Sequence, residues 1–284
     1  MNYRVLDIET VPDLRFWTKN SDLFVEQPVR LPGLGGSSSS GDEASLSFGP
    51  DGRLMTMWEP KEQFPPPQTH RVVAMSWVNL SGEDGEYYKY LGYHSVCLWS
   101  HGPGDVADAY EARLLREFGE HQAADEGEEA ALLVTWNGRG FDLPVINMRS
   151  LLHGIPCPWY YGDREVRYRY SEAGHCDLMD VFSDYGASRP MKLGDVVRLI
   201  GLPGKSGPIS GGDVARLYGR GDDQKDMREV EKYCLCDSLQ TALLFARSRV
   251  HKGMISMKHY RDVVVPSFLP ALGEHLGVKE SDLR

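Results

Sequence analysis

The apolar run at residues 131–136 (ALLVTW) constrains the chain most. A run of that kind reads as a buried strand. A glycine-containing loop follows at 137–140, and then a helical segment whose Pro144 falls in the first turn, where a missing backbone N–H is tolerated. Strand, loop and helix deliver Asp142 to the carboxyl end of a strand, which is where sites form in open α/β sheets.

The remaining elements extend this unit. Residues 3–8 (YRVLDI) read as a strand, and period-2 alternation sends Val5, Asp7 and Glu9 to one face and Leu6 and Ile8 to the other. Residues 70–80 and 86–99 are rich in β-branched and aromatic residues and predict an antiparallel pair about a turn at 81–85. Helical spacing predicts helices over 105–122, 191–200 and 224–250, the last stopping near Gly253. An acidic turn is expected at 125–129 and a short strand at 176–182. Residues 33–52 are Gly/Ser-rich and Pro65, Pro66 and Pro67 follow, so 13–68 reads as an insertion or mobile loop. The expectation is one α/β domain over residues 1–284, a mixed sheet flanked by helices.

Hydrophobic residues make up 41% and charged residues 25%, which is ordinary globular usage and argues against disorder. No run approaches the roughly 18 apolar residues of a spanning helix, and the start of the chain carries carboxylates where a signal peptide has its apolar run. A cytoplasmic protein without a membrane partner is expected. Five cysteines without a CxxC pair fit reduced thiols better than a disulfide framework or a zinc site. The net charge of −10 argues against a protein that coats nucleic acid nonspecifically, so any nucleic acid must be held locally. Acid clusters, however, suit divalent cations, which would supply the missing positive charge.

Asp7, Glu9, Asp142 and Asp237 fall on three separate predicted elements, and Tyr233 lies four residues before Asp237 on one helix face. A DxE pair alone is commonplace. Acids gathered from a strand end, a loop-to-helix junction and a late helix can hold two Mg2+ or Mn2+ ions about 4 Å apart for phosphodiester cleavage, since hard cations want carboxylate oxygens.

In that order, Asp7-Ile8-Glu9-Thr10, Asn137-Gly-Arg-Gly-Phe141-Asp142 and Tyr233-Cys-Leu-Cys-Asp237 resemble the three motifs of the DEDDy branch of DnaQ-like 3′-5′ exonucleases. The likeness is greatest to the predicted exonucleases related to the proofreading domain of family B DNA polymerases, and it covers most of residues 1–250. The histidine of the sister branch would stand at Lys232, so Tyr233 places the chain in the tyrosine branch. The resemblance implies an RNase H-like fold and hydrolysis from the 3′ end of nucleic acid, with single-stranded DNA expected and RNA open. It implies that Asp7, Glu9 and Asp237 bind one ion, that Asp7 and Asp142 share the second, and that the Tyr233 hydroxyl orients the attacking water. Asn137 and Phe141 would shape the site and hold the terminal nucleotide, with Thr10 beside them. The long segment before His70 departs from the pattern. No polymerase domain follows, so proofreading within the same chain is not expected.

Other signals are weaker. Gly204-Lys205-Ser206 lacks the earlier glycine of a phosphate loop and reads as a helix-ending turn. Asp177 and Asp180 are read as ending a strand or facing solvent, with a place beside the site, together with His175, as the alternative. Arg139 reads as a phosphate contact or an exposed loop arginine, and Lys192 has the same standing. Leu235, Leu239, Ala242, Leu243 and Ala246 form a core stripe. A catalytically silent binding module and an RNase H-like endonuclease remain the competing functions.

Overall fold

The alternation at the start of the chain produces β1 (Asn2–Pro12), in which Val5 faces one apolar layer and Leu6 and Ile8 face the other. The structure, a computed structural model, describes residues 1–13, 24–26, 47–48, 54–55, 58–60, 66–83, 86–98, 104–123, 130–202, 209–219 and 224–279. The chain divides into two units, Met1–Val11 with Arg71–Arg284, and Pro12–His70. In the second unit β2 (Phe24–Glu26) pairs with β5 (Trp58–Pro60), and β3 (Ser47–Phe48) pairs with β4 (Leu54–Met55), both antiparallel. Most of the expected insertion at 13–68 lies outside the described residues. The same is true of the acidic turn at 125–129 and of Gly204-Lys205-Ser206.

In the first unit β6 (His70–Glu83) and β7 (Tyr87–Cys97) form the expected antiparallel pair, and β6 runs three residues beyond the predicted strand. Helix α1 (Gly104–Gln122) precedes β8 (Leu132–Thr135), and α2 (Asp142–Leu152) follows it. Two single-turn helices, α3 (Pro158–Tyr161) and α4 (Arg164–Arg167), come before β9 (His175–Asp177) and α5 (Leu178–Phe182). Then come α6 (Leu193–Leu199), α7 (Gly211–Gly219) and α8 (Gln224–His251). The described chain closes with α9 (Met257–His259), a π-helical stretch (Tyr260–Val264) and α10 (Val265–Leu276).

The five-stranded sheet runs β7-β6-β1-β8-β9, with β8 parallel to both β1 and β9 and β7 antiparallel to β6, so it is mixed as expected. The strand expected over 176–182 stops at Asp177, whose side chain accepts the N–H groups of Met179 and Asp180 and starts a helix instead. The closing helices escape periodicity because Pro266 and Pro270 read as breakers. Among the described residues no helix is long and apolar enough to cross a membrane.

One apolar layer lies between the sheet and α6, α8 and α10, and it takes in the whole predicted stripe of α8. The other lies under α1, α2 and α7. A fully buried carboxylate sits at the edge of this second layer. Glu111 of α1 accepts hydrogen bonds from the Arg149 guanidinium (2.7 and 2.5 Å), from the Val72 backbone N–H (2.9 Å) and lies 2.9 Å from His153 Nε2. Burial alone would push its carboxyl up, but the bonds from His153, Arg149 and Val72 hold it below its ordinary range.

Removing Glu111 strands the buried Arg149 charge, which is the costly half of a buried pair. Glu111→Ala should destabilise the fold by about 3–5 kcal/mol in urea titration. Glu111→Met with Arg149→Met should lose less, because no charge is then left uncompensated. Equal losses for the single and double variants would contradict this account.

Candidate active site

Asp7 and Glu9 project from the same face of β1, two residues apart, and both are half-buried. Asp237 reaches them from α8. Oxygens of Asp7, Glu9 and Asp237 all lie within 4.8 Å of one another. The helix is held against the strand by two buried contacts next to these acids. Cys234 Sγ donates to the Asp7 carbonyl (3.3 Å), and the Ser76 and Ser238 hydroxyls share a 2.7 Å hydrogen bond. Burial, with Asp7 and Glu9 nearby, raises the Cys234 thiol well above its ordinary range, so it stays protonated and can donate.

Asp142 comes from a third element, at the start of α2. Burial pushes its carboxyl up, Asp177 and Asp237 add to that, and the N–H groups of Asp142 and Ile8 offset only part, leaving it at about 7. Ile8 lies between Asp7 and Glu9, so the structure brings the four predicted acids into one neighbourhood. Tyr233 is buried at 9% exposure, one helical turn before Asp237. Thr10 is half-buried further along β1.

The loop that delivers Asp142 owes its shape to Asp177. Its two carboxylate oxygens accept the backbone N–H groups of Asn137 and Arg139, each at 2.9 Å, while also capping α5. Asn137 is left-handed (φ 63°), a conformation asparagine tolerates better than most residues, and its carbonyl accepts the N–H of Gly140 and Phe141. A Cβ on Gly138 would sit 2.4 Å from Thr135 Oγ1, so the close return of the chain there requires glycine. Phe141 packs partly buried against the second apolar layer.

Asp177 is therefore buried rather than facing solvent. An acid directly before an apolar helix start is a capping signal, and it was legible in the sequence. Asp180 is also buried and forms a two-pronged pair with Arg169 at 2.6 and 3.0 Å. Arg139 turns inward, donating to the carbonyls of Val166 (3.0 Å) and His175 (2.9 Å), while still lining a cavity beside the loop. His175 is buried against Thr135 Oγ1, and Lys192 is exposed.

Three carboxylates packed this closely, beside a fourth whose carboxyl is raised chiefly by burial, concentrate negative charge in a way that a divalent cation relieves. The all-oxygen donor set fits a hard cation. Two other clusters have suitable spacing among the described residues. In one, Glu111 is saturated by Arg149 and His153; in the other, His94 stacks on Trp77 and pairs with Glu117 at 2.9 Å.

The family profile described as a predicted 3′-5′ exonuclease related to the exonuclease domain of PolB matches residues 62–272. That span holds Asp142, Tyr233 and Asp237 and excludes Asp7 and Glu9, which only the fold returns to them. No curated protein matches the chain. Among solved structures, the family B DNA polymerase from the hyperthermophilic archaeon Pyrobaculum calidifontis aligns at 16% identity and a TM-score of 0.41. The match covers 78% of this chain and 31% of that polymerase.

The elevated Asp142 carboxyl has a measurable consequence for the metal-free protein. The unfolded chain ionises this group near 3.8, whereas the fold holds its proton to about 7. Between those values the native state binds more protons than the unfolded state, so Asp142 makes stability fall as pH rises and level off above about 7. The full effect is on the order of a few kcal/mol. In EDTA, Asp142→Asn should flatten that part of the melting-temperature profile and melt higher than the parent at alkaline pH. Parallel profiles for the two proteins would rule it out.

Proposed function

Because the chain belongs to the predicted 3′-5′ exonucleases related to the exonuclease domain of PolB, with an RNase H-like fold and a nucleic-acid substrate, we propose that it removes nucleotides from the 3′ end of single-stranded nucleic acid by two-metal hydrolysis. The observation that carries this reading is the convergence of Asp7, Glu9 and Asp237 within 4.8 Å, with Asp142 adjoining. On this reading the chain is one exonuclease domain with an insertion at about 13–68. Exonuclease domains of this kind use divalent metals, and Mg2+ or Mn2+ suits this donor set.

Divalent ions, when bound, supply positive charge that acidifies water and offsets charge on the leaving oxygen. Asp7, Glu9 and Asp237 would hold one ion, and Asp7 and Asp142 would hold the second. The Tyr233 hydroxyl accepts or donates one hydrogen bond to the attacking water and fixes its line of approach. A phenol with an unperturbed pKa of about 10 is better suited to that than to serving as the main base. Asn137 and Phe141 border the terminal nucleotide, and Thr10 extends the same wall from β1. Arg139, with two donors already given to carbonyls, contributes local positive charge to the phosphate.

Digestion of 3′-labelled and 5′-labelled single strands and duplexes, of DNA and of RNA, tests the reading. Shortening from the 3′ end supports it, while internal cuts or binding without cleavage would replace it. EDTA should stop cleavage, Mg2+ or Mn2+ should restore it, and Ca2+, with longer bonds and looser geometry, should not.

Asp7→Ala and Asp142→Ala should each lower cleavage by more than about 100-fold while the protein stays folded. Tyr233→Phe should lower the single-turnover rate by roughly 10- to 1,000-fold and leave substrate binding intact. A parental rate for the phenylalanine variant would reduce the ring to packing.

A further inference from the structure

Residues 160–170 (YYGDREVRYRY) hold four tyrosines and three arginines in a chain whose net charge is −10. Two single-turn helices, α3 and α4, present them, with Asp163 capping α4 through the Glu165 N–H at 2.8 Å. Only Val166 of this segment is buried, which anchors α4 and turns its neighbours outward. Tyr161, Tyr168 and Tyr170 are 55%, 43% and 63% exposed as residues, so they contribute little to the core.

These rings are nevertheless ordered against cations and each other. The Arg164 guanidinium lies 5.3 Å from the Tyr168 ring centre, and that of Arg167 lies 5.3 Å from Tyr161. Tyr170 continues the row, 6.0 Å from Tyr168 and 5.2 Å from Tyr185. Arg169 is committed to Asp180, whereas Arg164 and Arg167 have no carboxylate partner among the described residues. A cavity of about 350 Å3 joins this surface to the loop that carries Asp142: Tyr160, Arg167 and Arg169 line one part of it and Asn137 and Gly140 another.

Aromatic faces interleaved with unneutralised arginines are what a single strand requires, since every base has a face to stack and every phosphate a charge to meet. We propose that Arg164, Arg167, Tyr161, Tyr168 and Tyr170 form a track that holds single-stranded nucleic acid upstream of its 3′ end and leads it through the cavity to Asn137. The track rests on the nuclease reading above for its direction, but its binding does not require turnover. Asp163 and Glu165 stand in the same segment and Asp177 and Asp180 also line the cavity, so the phosphates are met locally by Arg164 and Arg167 and not by a broad positive field.

The test measures binding of fluorescein-labelled oligo(dT) and oligo(U), about 12 nucleotides long, and of a duplex of the same length, to the full chain in EDTA. The parent should bind both single strands at least about 10-fold more tightly than the duplex. Tyr161→Ala with Tyr168→Ala and Tyr170→Ala should weaken single-strand binding by at least about 10-fold, and the three phenylalanine substitutions should restore it. Arg164→Gln with Arg167→Gln should reduce the slope of log affinity against log salt by about 0.7 for each arginine. Unchanged binding or salt slope, no rescue by phenylalanine, or equal affinity for the duplex each overturns the track. A parent that binds through these residues and cleaves nothing sinks the nuclease reading and leaves the track standing. One that cleaves while the variants bind normally does the reverse.

Discussion

Hydrogen bonds between β1 and β8, in a parallel register that sets Tyr3, Arg4 and Val5 against Leu132, Leu133 and Val134, underlie every other feature of the site. Parallel strands point their carboxyl ends the same way, so Asp7 and Glu9 emerge beside the loop that leads to Asp142. Had these strands run antiparallel, the two groups of acids would lie at opposite edges of the sheet. Asp237 then needs only a helix lying across β1 and β6, and the Cys234 and Ser238 contacts supply it.

Gathering carboxylates costs stability in the absence of a counterion, and the first unit offsets that cost with features around the site rather than in it. Asp177 fixes the loop by accepting backbone N–H groups from both of its sides. The apolar layers above and below the sheet supply the cohesion, at roughly 25 cal/mol per Å2 of apolar surface buried. Glu111 ties α1, α2 and β6 together out of contact with the reacting groups.

Most of the sheet and the long helices were legible because burial on one or both faces leaves a periodic imprint. The run 131–136, whose Leu132–Thr135 form β8, and the stripe from Leu235 to Ala246 are examples: Leu132, Leu133 and Val134 and the whole stripe are core residues. Single-turn helices such as α3 and α4 leave none, since four residues complete barely one turn. The inward turn of Arg139 was also hidden, because it depends on carbonyls contributed by Val166 and His175, some thirty residues away in the chain.

For the site, the residue types and their order were in the sequence: Asp-x-Glu at a strand end, an acid after a glycine loop, and a tyrosine one turn before an aspartate. Those patterns are local, set by periodicities of two and 3.6 residues. Convergence was decided only by tertiary structure, because the distance between Asp7 and Asp237 depends on strand register and helix docking across more than 200 residues of chain. The burial that raises Asp142 to about 7 likewise comes from neighbours on other elements, since desolvation is a property of the folded surroundings and not of the residue itself.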